Sequence, residues 1–267
     1  MSYFSDPGYI DYWKDRVGRA IDGSKVAGPE AVGFFLAQAG VTPSQRGLDL
    51  GCSFGRMFPV LSQFAEQLDG TDVTEEALVQ ARQHAYHELR LGQAESLPFE
   101  ADRFDLVVAW GVFDVVEQER GFAEANRVLK VGGKFLVTGK HNDYLQSDSM
   151  AFVAERNAYL KKFPNHFTDL DRLLPQLDQF GFSLAKGFGF PNRGDFGEGR
   201  FFELGPQSPR QFYEFLLVLE KIETKPLPEG LEICGPSSRT ALMRAHLSGF
   251  SSLEELFLDH QKKCPNG

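Results

Sequence analysis

Cysteine is scarce in this sequence, which has only Cys52, Cys234 and Cys264 among 267 residues. Three widely spaced cysteines do not form a disulfide framework, and there is no Cys-x-x-Cys pair of the kind that binds zinc. Apolar runs long enough to span a bilayer are also absent. The sequence therefore argues against a disulfide-stabilised scaffold, and we expect neither a metal site nor a membrane partner.

Basic residues are also fewer than acidic ones. The chain has 28 Lys and Arg against 37 Asp and Glu, and its densest basic clusters are the pairs Lys161-Lys162 and Lys262-Lys263. Proteins that bind nucleic acids usually carry concentrated basic patches, so we expect no nucleic-acid partner. The first residues lack the basic segment and apolar run of a secretory signal. These absences together predict a cytoplasmic protein.

What the chain does have is an alternation of short apolar runs and helical segments. Continuous apolar runs at residues 48–50, 104–110 and 134–139 are typical of central strands that are buried on both faces. Helical patterns lie between these runs, for example over residues 119–129, and the links are short. This alternation predicts an α/β fold with a doubly wound, mostly parallel sheet between two layers of helices.

A glycine-rich turn follows the first predicted strand. Residues 47–57 read GLDLGCSFGRM, and glycine at positions 51 and 55 permits a sharp turn that brings a ligand close to backbone N–H groups. A dinucleotide fingerprint has glycines at positions one, three and six, but those positions here hold Gly51, Ser53 and Arg56. The turn therefore predicts a nucleotide-like ligand, and the spacing disfavours a dinucleotide.

An acidic residue ends the second predicted strand, about 20 residues after the glycine turn, where a carboxylate can accept hydrogen bonds from the hydroxyls of a ribose. This residue is Asp72, and Val73 follows it. A purely structural role beside the helix N-cap Thr74 is the alternative. Asp72 thus indicates a ligand that contains a nucleoside, but it does not distinguish between the different cofactors that contain one.

Two further segments complete a pattern. Residues 92–99 read GQAESLPF, and residues 127–133 read RVLKVGG. Taken in order with Asp49 and the glycine turn, and with Asp72, they resemble the motifs of class I S-adenosylmethionine (SAM) methyltransferases. The likeness covers about residues 45–140 and is nearest to the branch that methylates quinones, sterols and natural products. The sequence departs from the family pattern at Ser53, Gln93 and Val131, where glycine, aspartate and proline are usual.

The resemblance implies a Rossmann-like sheet of seven strands, mostly parallel, with an antiparallel hairpin at the end and added cap segments. It also implies that SAM is the methyl donor and S-adenosylhomocysteine (SAH) the product. The cofactor-binding residues that it implies lie in the four segments and just after the fourth strand: Asp49, Gly51, Cys52, Ser53, Gly55, Asp72, Val73, Gln93, Ala94, Glu95 and Trp110.

We expect a single domain with four parts. Residues 1–40 form an N-terminal helical cap, and residues 41–140 form the SAM-binding core. Residues 141–223 hold a substrate-side insert and the final strands, and residues 224–267 form a helical C-terminal extension. The acceptor pocket should lie between the N-terminal segment, with Tyr9, Tyr12 and Trp13, the insert, and a phenylalanine-rich loop at residues 188–202 that acts as a lid.

The expected reaction is in-line displacement of the sulfonium methyl by an oxygen, nitrogen or carbon nucleophile of a small molecule, without a metal. Orientation alone can supply roughly 7–11 kcal/mol of the barrier. A hydroxyl or a protonated amine also needs a proton acceptor, and histidine is the usual one. His141 and His166 follow the last core strand and are the predicted bases, and Asp114 and Asp143 are lesser candidates.

Three other functions remain as alternatives. A non-catalytic SAM-binding or scaffold protein would account for the three departures from the family pattern. A nicotinamide-dependent dehydrogenase would use Asp72 in the same way, but it fails the glycine spacing. Methylation of nucleic-acid bases is disfavoured, because the sequence after the fourth strand reads WGVF rather than the Asn/Asp-Pro-Pro-aromatic motif of those enzymes.

Overall fold

The computed structural model describes residues 7–21, 29–145, 147–160 and 165–235. The helices expected at residues 239–246 and 253–261 lie outside these ranges. Two helices come first, α1 (Pro7–Ile21) and α2 (Pro29–Gln38), as the sequence predicts for this part of the cap. Within the described ranges, none of the helices is long and apolar enough to cross a membrane.

Strands and helices then alternate through the core. The elements are β1 (Ser44–Leu50), α3 (Phe58–Leu61), β2 (Ala65–Asp72), α4 (Glu75–Ala81), β3 (Glu88–Leu91), β4 (Phe104–Ala109), α5 (Gln118–Val128) and β5 (Leu129–Lys140). A 3-10 turn at Phe113–Val115 separates β4 from α5. Each strand predicted in this region is present, whereas α3 is shorter than the predicted helix over residues 57–64.

The rest of the described chain adds the cap and the far edge of the sheet. Its elements are α6 (Ser149–Leu160), β6 (Phe167–Thr168), α7 (Leu170–Leu173), β7 (Phe182–Phe190), α8 (Asp195–Glu198), β8 (Phe202–Glu203), β9 (Glu214–Lys221) and β10 (Cys234–Gly235). A 3-10 segment at Leu174–Phe180 follows α7 and carries Pro175 in its first turn. The predicted helix over residues 168–179 is therefore split at the proline, and Asp169 rather than Thr168 caps it.

The main sheet has eight strands in the order β3-β2-β1-β4-β5-β9-β7-β8. β1 to β5 are parallel to one another, and β9 lies antiparallel between β5 and β7. The sequence predicts seven strands, and the eighth is the two-residue β8 at the edge. Because the strand order reverses between β1 and β4, a cleft opens there at the carboxyl ends of the strands, where such sheets bind ligands.

Alternate residues of the central strands belong to two separate hydrophobic cores, one on each face of the sheet. Leu48 and Val107 belong to the core that α5 and α7 cover, whereas Leu106 and Val108 belong to the core that α2 covers. The apolar stretch at residues 212–222, which sequence periodicity leaves open between helix and strand, forms β9 because β5 and β7 pair with it on either side. Burial on both faces explains why β9 shows no alternation.

The phenylalanine-rich loop does not form the predicted lid. Four of its rings surround Phe35 of α2 at centroid distances of 4.9–5.5 Å, namely Phe188, Phe190, Phe196 and Phe201. Phe202 packs on Phe212 at 5.3 Å on the other face of the sheet. Phe188, Phe190 and Phe196 are core residues, whereas Phe201 is exposed at the edge of this cluster. Burying a ring next to other aromatics is more favourable than exposing it over a cleft.

Candidate functional site

The turn after β1 contains three residues with positive φ. Gly51, Ser53 and Gly55 have φ values of 72°, 50° and 85°. A Cβ on Gly51 would lie 2.4 Å from Cγ2 of Val112, and a Cβ on Gly55 would lie 2.3 Å from Cδ2 of His84, so neither position has room for a side chain. Ser53 occupies a left-handed conformation that costs a non-glycine residue roughly 1–2 kcal/mol. That cost explains why glycine is the usual residue at this place in the motif.

Backbone hydrogen bonds tie this turn to the end of β2. The N–H groups of Gly51 and Cys52 both donate to the carbonyl of Thr71, at 2.8 and 2.9 Å. The next N–H, of Ser53, donates to Oδ2 of Asp72 at 2.9 Å. The turn is therefore held over the carboxyl edge of the sheet before any ligand arrives.

The Asp72 carboxylate is already largely occupied. Besides the bond from Ser53, its Oδ1 accepts from the backbone N–H of Thr74 at 2.9 Å and from the Thr74 hydroxyl at 2.8 Å. The backbone N–H of Val73 is a further donor to this carboxylate. Because a carboxylate has about four acceptor positions, this arrangement leaves at most about one for a ribose hydroxyl instead of the two that the sequence predicts. Burial raises the pKa of Asp72, against these hydrogen bonds. The structural and ligand-binding roles proposed for Asp72 are therefore compatible.

Asp49 lies at the base of the same cleft, and it is 2% exposed. Burial raises its pKa to about 7, and a 2.6 Å hydrogen bond from the Tyr86 hydroxyl to Oδ2 partly opposes that rise. The Asp49 carboxyl group therefore has the unusual property of changing charge near neutral pH. A cation in the cleft would favour the ionised form.

A cavity of about 380 Å³ fills this cleft. Ten of the eleven predicted cofactor residues line it, and Gly55, which shapes the turn, does not. The lining includes three carboxyl groups, those of Asp49, Asp72 and Glu95, and one guanidinium, that of Arg56. This distribution of charge matches a ligand such as SAM, which carries a sulfonium, an ammonium and one carboxylate.

The far wall of the cavity comes from the segment after β3 and the residues after β4. Glu95 is anchored there, because its Oε1 accepts from the backbone N–H of Glu117 at 2.8 Å. Gln93 is exposed, and its side-chain amide forms no hydrogen bond within the described ranges, so it is free to meet a ligand. Trp110 is fixed by Phe196, with ring centroids 4.5 Å apart in an edge-to-face arrangement.

A second cavity of about 570 Å³ adjoins the first. The two cavities share four wall residues, namely Tyr9, Trp13, Gly111 and Val115. Tyr12 and residues of α6, including Met150 and Val153, form further parts of its wall. As the sequence predicts, the N-terminal segment and the insert enclose this space, but the phenylalanines of the loop after β7 do not.

Helix α1 forms the shared wall through an aromatic cluster. The Tyr9 hydroxyl donates to the carbonyl of Val115 at 2.5 Å, which ties α1 to the turn after β4. Trp13 meets Tyr9 and Tyr12 edge to face, at centroid distances of 6.0 and 5.2 Å. This cluster makes one side of the second cavity a surface for a flat, apolar ligand.

The opposite side of the second cavity is polar. Asp114, Lys140, Asn165 and Arg193 line it, and the Lys140 ammonium forms an ion pair with the Asp114 carboxylate. Burial lowers the pKa of Lys140, but the negative charges of Asp114 and other neighbours outweigh this, and its pKa is raised. Glu214 pairs with Lys140 across β5 and β9, and burial raises its pKa to about 6.

The structure places His141 away from both cavities. Its side chain is 4% exposed and stacks on Phe212, and its Nδ1 and Nε2 lie 3.3 and 3.1 Å from the carbonyl oxygens of Thr168 and Arg210. Burial lowers its pKa. Because both ring nitrogens face backbone carbonyls, His141 is a link between β5 and its neighbours, and this geometry does not support the predicted role as a base.

His166 and Asp143 also lie outside the cavity linings. The His166 Nδ1 lies 3.7 Å from Sγ of Cys234, and its backbone N–H donates to the carbonyl of Asp114 at 2.8 Å. Asp143 accepts from the Gln211 amide at 3.1 Å. Of the four proton acceptors suggested by the sequence, Asp114 is the one whose side chain borders the second cavity.

Four residues of the site were missed in the sequence analysis. Lys140 ends β5 directly before His141, and Arg193 follows β7 by three residues. A charged residue at the carboxyl end of a core strand is a signal that could have identified both. Arg56 follows the glycine turn and could have been found in the same way, but no sequence pattern marks Tyr86 as the partner of Asp49.

Comparisons with known proteins agree with this geometry. Residues 48–137 match the family model described as "Methyltransferase domain". The ubiquinone/menaquinone biosynthesis C-methyltransferase of Cupriavidus taiwanensis is 34% identical over 113 residues, which are 39% of this chain and 46% of that protein. The rat mitochondrial 2-methoxy-6-polyprenyl-1,4-benzoquinol methylase is 53% identical over 47 residues, 17% of this chain and 14% of that protein. The chain thus spans less than half the length of these relatives.

Solved structures share the fold at low sequence identity. A SAM-dependent methyltransferase from Thermotoga maritima superposes with a TM-score of 0.54 at 20% identity, over 73% of this chain and 91% of that one. Another, from Mesorhizobium loti, gives 0.53 at 18% identity, over 72% and 100%. Residues 48–137 therefore match a methyltransferase domain in sequence, and the described chain shares the fold of these solved methyltransferases.

Proposed function

We propose that this protein transfers the methyl group of SAM to a small molecule bound in the second cavity, and that the acceptor is a ring compound of the quinol type. The observation that carries the proposal is the pair of adjoining cavities with shared walls at the switch point of the sheet. One has the charges that suit SAM, and the other has an aromatic side and a polar side. A donor and an acceptor bound there would meet at Tyr9, Trp13, Gly111 and Val115.

In this proposal the first cavity holds SAM through the predicted residues. Asp72 accepts a bond from one ribose hydroxyl, and Gln93 with the backbone of Ala94 reads the adenine edge. Asp49 faces the positive charges of the ligand, and Arg56 binds its carboxylate. The bound cofactor supplies an activated methyl group, while the chain orients the two reactants and excludes water from between them.

The acceptor class rests on the relatives and on the shape of the second cavity. Both named relatives methylate quinones or quinols according to their names, and the aromatic side of the cavity suits a flat ring. A hydroxylated ring loses a proton before or after transfer, whether oxygen or carbon is methylated. We propose Asp114, which borders the cavity beside Lys140, as the group that accepts it in place of a histidine.

The proposal is tested in two stages that separate binding from catalysis. Calorimetry with SAM and SAH measures cofactor binding by the parent and by Asp72→Ala, which should bind about 10- to 100-fold more weakly after losing a charge-assisted hydrogen bond. Asp178→Ala, an exposed aspartate on the 3-10 segment after α7, is the matched control and should bind normally.

Transfer is then measured with methyl-labelled SAM and a 1,4-benzoquinol that has an unsubstituted ring carbon. Label in the quinol supports the full proposal, and mass spectrometry of the product distinguishes oxygen from carbon methylation. If SAM binds but no label reaches this quinol or any acceptor of a cell extract, the alternative of a non-catalytic SAM-binding protein is correct. If neither SAM nor SAH binds, the proposed function is wrong.

A further inference from the structure

Arg193 differs from most arginines in the described part of the chain, because it forms no ion pair with a carboxylate. Eight other arginines form ion pairs with Asp or Glu side chains: Arg46, Arg82, Arg90, Arg103, Arg120, Arg127, Arg172 and Arg200. Arg193 forms none within the described part of the chain, although it is half-buried and lines the second cavity. Burial disfavours its charge, but the Tyr213 hydroxyl and the carboxyl groups of Glu214 and Asp114 outweigh this and raise its pKa. The guanidinium therefore stays charged and can attract an anionic ligand in the cavity.

The geometry holds Arg193 in place for such a ligand. Its backbone N–H donates to Oδ2 of the buried Asp148 at 2.6 Å, and its Nη1 donates to the hydroxyl of the buried Tyr213 at 3.0 Å. The first bond holds the backbone from which the side chain extends, and the second restrains its guanidinium, so binding a ligand costs less additional conformational entropy than it would for a free side chain. A guanidinium has five N–H donors, and the other four have no acceptor among the described residues.

The groups around Arg193 indicate which charges and apolar surfaces a ligand in this cavity should have. Lys140 is a second cation in the wall of the same cavity, and its ammonium is already paired with the Asp114 carboxylate. The side-chain amide of Asn165 adds a neutral hydrogen-bond donor. Glu214 and Asp148 are the other carboxylates near this cluster, and both lie behind the cavity wall. Apolar and aromatic side chains of α1 and α6 form the rest of the enclosure, including Tyr12, Trp13 and Val153.

We propose that Arg193, assisted by Lys140 and Asn165, is the subsite that recognises an anionic oxygen on an aromatic methyl acceptor, either a carboxylate or an ionised phenol. This proposal rests on the proposed function, and it specifies which member of the ring-compound class the second cavity takes. The planar guanidinium suits both oxygen groups, since it can give two parallel N–H bonds to a carboxylate or converge on one phenolate oxygen. The ring then lies against the aromatic side formed by α1.

The test uses small probes that differ in a single charge. Benzoate and benzamide are titrated by calorimetry into the full-length protein, both with saturating SAH and without it. Benzoate should bind at least about 10-fold more tightly than benzamide, because charge-assisted hydrogen bonds exceed neutral ones. 4-Nitrophenol and 4-nitroanisole form a second pair, and the visible absorbance of bound nitrophenolate reports whether the phenol is ionised.

Two variants assign the effect to Arg193. Arg193→Met should reduce the preference for benzoate over benzamide to within about twofold and leave SAH affinity unchanged, while Arg193→Lys should keep part of the preference. Arg172→Met removes the same charge from the exposed side of α7 and should behave as the parent.

The outcomes separate this proposal from the proposed function. If benzoate is preferred and nitrophenolate is not, the anion is a carboxylate, and the reverse result indicates a phenolate. If the parent protein binds each charged probe no better than its neutral partner, the subsite is refuted even when SAH binds normally. If SAH does not bind, the titrations without SAH still decide whether Arg193 recognises an anion, since the comparison is made within one protein.

Discussion

The raised pKa of Asp49 makes a quantitative prediction about SAM binding. Asp49 lines the cofactor cavity, is 2% exposed and has a pKa of about 7 because of burial. If its ionised form faces the positive charges of SAM, the affinity should follow the ionised fraction. That fraction changes about 10-fold between pH 6 and pH 8, which is roughly 1.4 kcal/mol. SAM should therefore bind the parent protein about 10-fold more tightly at pH 8 than at pH 6, relative to Asp49→Asn.

The comparison with Asp49→Asn isolates this effect. Asparagine keeps the size of the side chain and can still accept the Tyr86 hydrogen bond, but it cannot ionise. Titration of SAM itself is common to both proteins and cancels in the ratio of their affinities. Isothermal titration at four or five pH values is sufficient to trace the ratio.

A second variant tests the cause of the pKa value. The hydrogen bond from Tyr86 lowers the pKa of Asp49, so Tyr86→Phe should move the midpoint of the affinity profile to higher pH. The ligand-free protein supplies an independent readout. Because the folded-state pKa of Asp49 is raised above its ordinary value, the contribution of this group to the free energy of unfolding falls as the pH rises from about 4 to 7. Asp49→Asn should remove that part of the decline. An affinity ratio that does not change with pH would refute the reasoning.

Three other variants test the turn and the proton acceptor. Ser53→Gly should raise the free energy of unfolding by up to about 1 kcal/mol in denaturant titrations, because the strain that it relieves exceeds the entropy cost of glycine. A lower stability of the variant would show that Ser53 makes a compensating contact. Asp114→Asn should bind SAH normally but lower methyl transfer by about 100-fold or more if Asp114 accepts the proton, and parental turnover would exclude that role. His141→Gln should keep methyl transfer within about threefold of the parent, but it should lower the free energy of unfolding by about 1–3 kcal/mol because buried hydrogen bonds are lost. A large loss of turnover in folded protein would instead support His141 as the proton acceptor.

The lining of the first cavity could be predicted from sequence, because its features lie in the backbone and in short segments. Close contacts around the turn require glycine at positions 51 and 55, and hydrogen bonds from Ser53 and Thr74 hold Asp72. Each of these features can therefore be recognised from a short segment of the sequence. The fold itself follows from the same kind of information. Continuous apolar runs identify the central strands, and the links between them are too short to allow many topologies.

The acceptor side could not be predicted in the same way, because its residues come together only through the topology. Lys140 and Arg193 are 53 positions apart in sequence, and they line one cavity because β5, β9 and β7 are neighbours in the sheet. Sequence reasoning chose histidines for their ordinary pKa, but His141 is turned toward carbonyl groups by its place at the end of β5. The phenylalanines after β7 were likewise assigned to a lid, since their number did not reveal that Phe35 of α2 lies beneath them.

The two cavities differ in charge, and this difference fits the order of events in methyl transfer. The first has more carboxyl groups than cations and suits the positively charged donor, while the second presents Arg193 and Lys140 toward an electron-rich acceptor. In the proposed reaction, transfer turns the sulfonium of SAM into the neutral sulfur of SAH, which removes one of the two positive charges that Asp49 is proposed to face. Because Asp49 titrates near pH 7, it can take up a proton once that charge is gone, and the empty or product-bound cavity then carries no unpaired buried carboxylate.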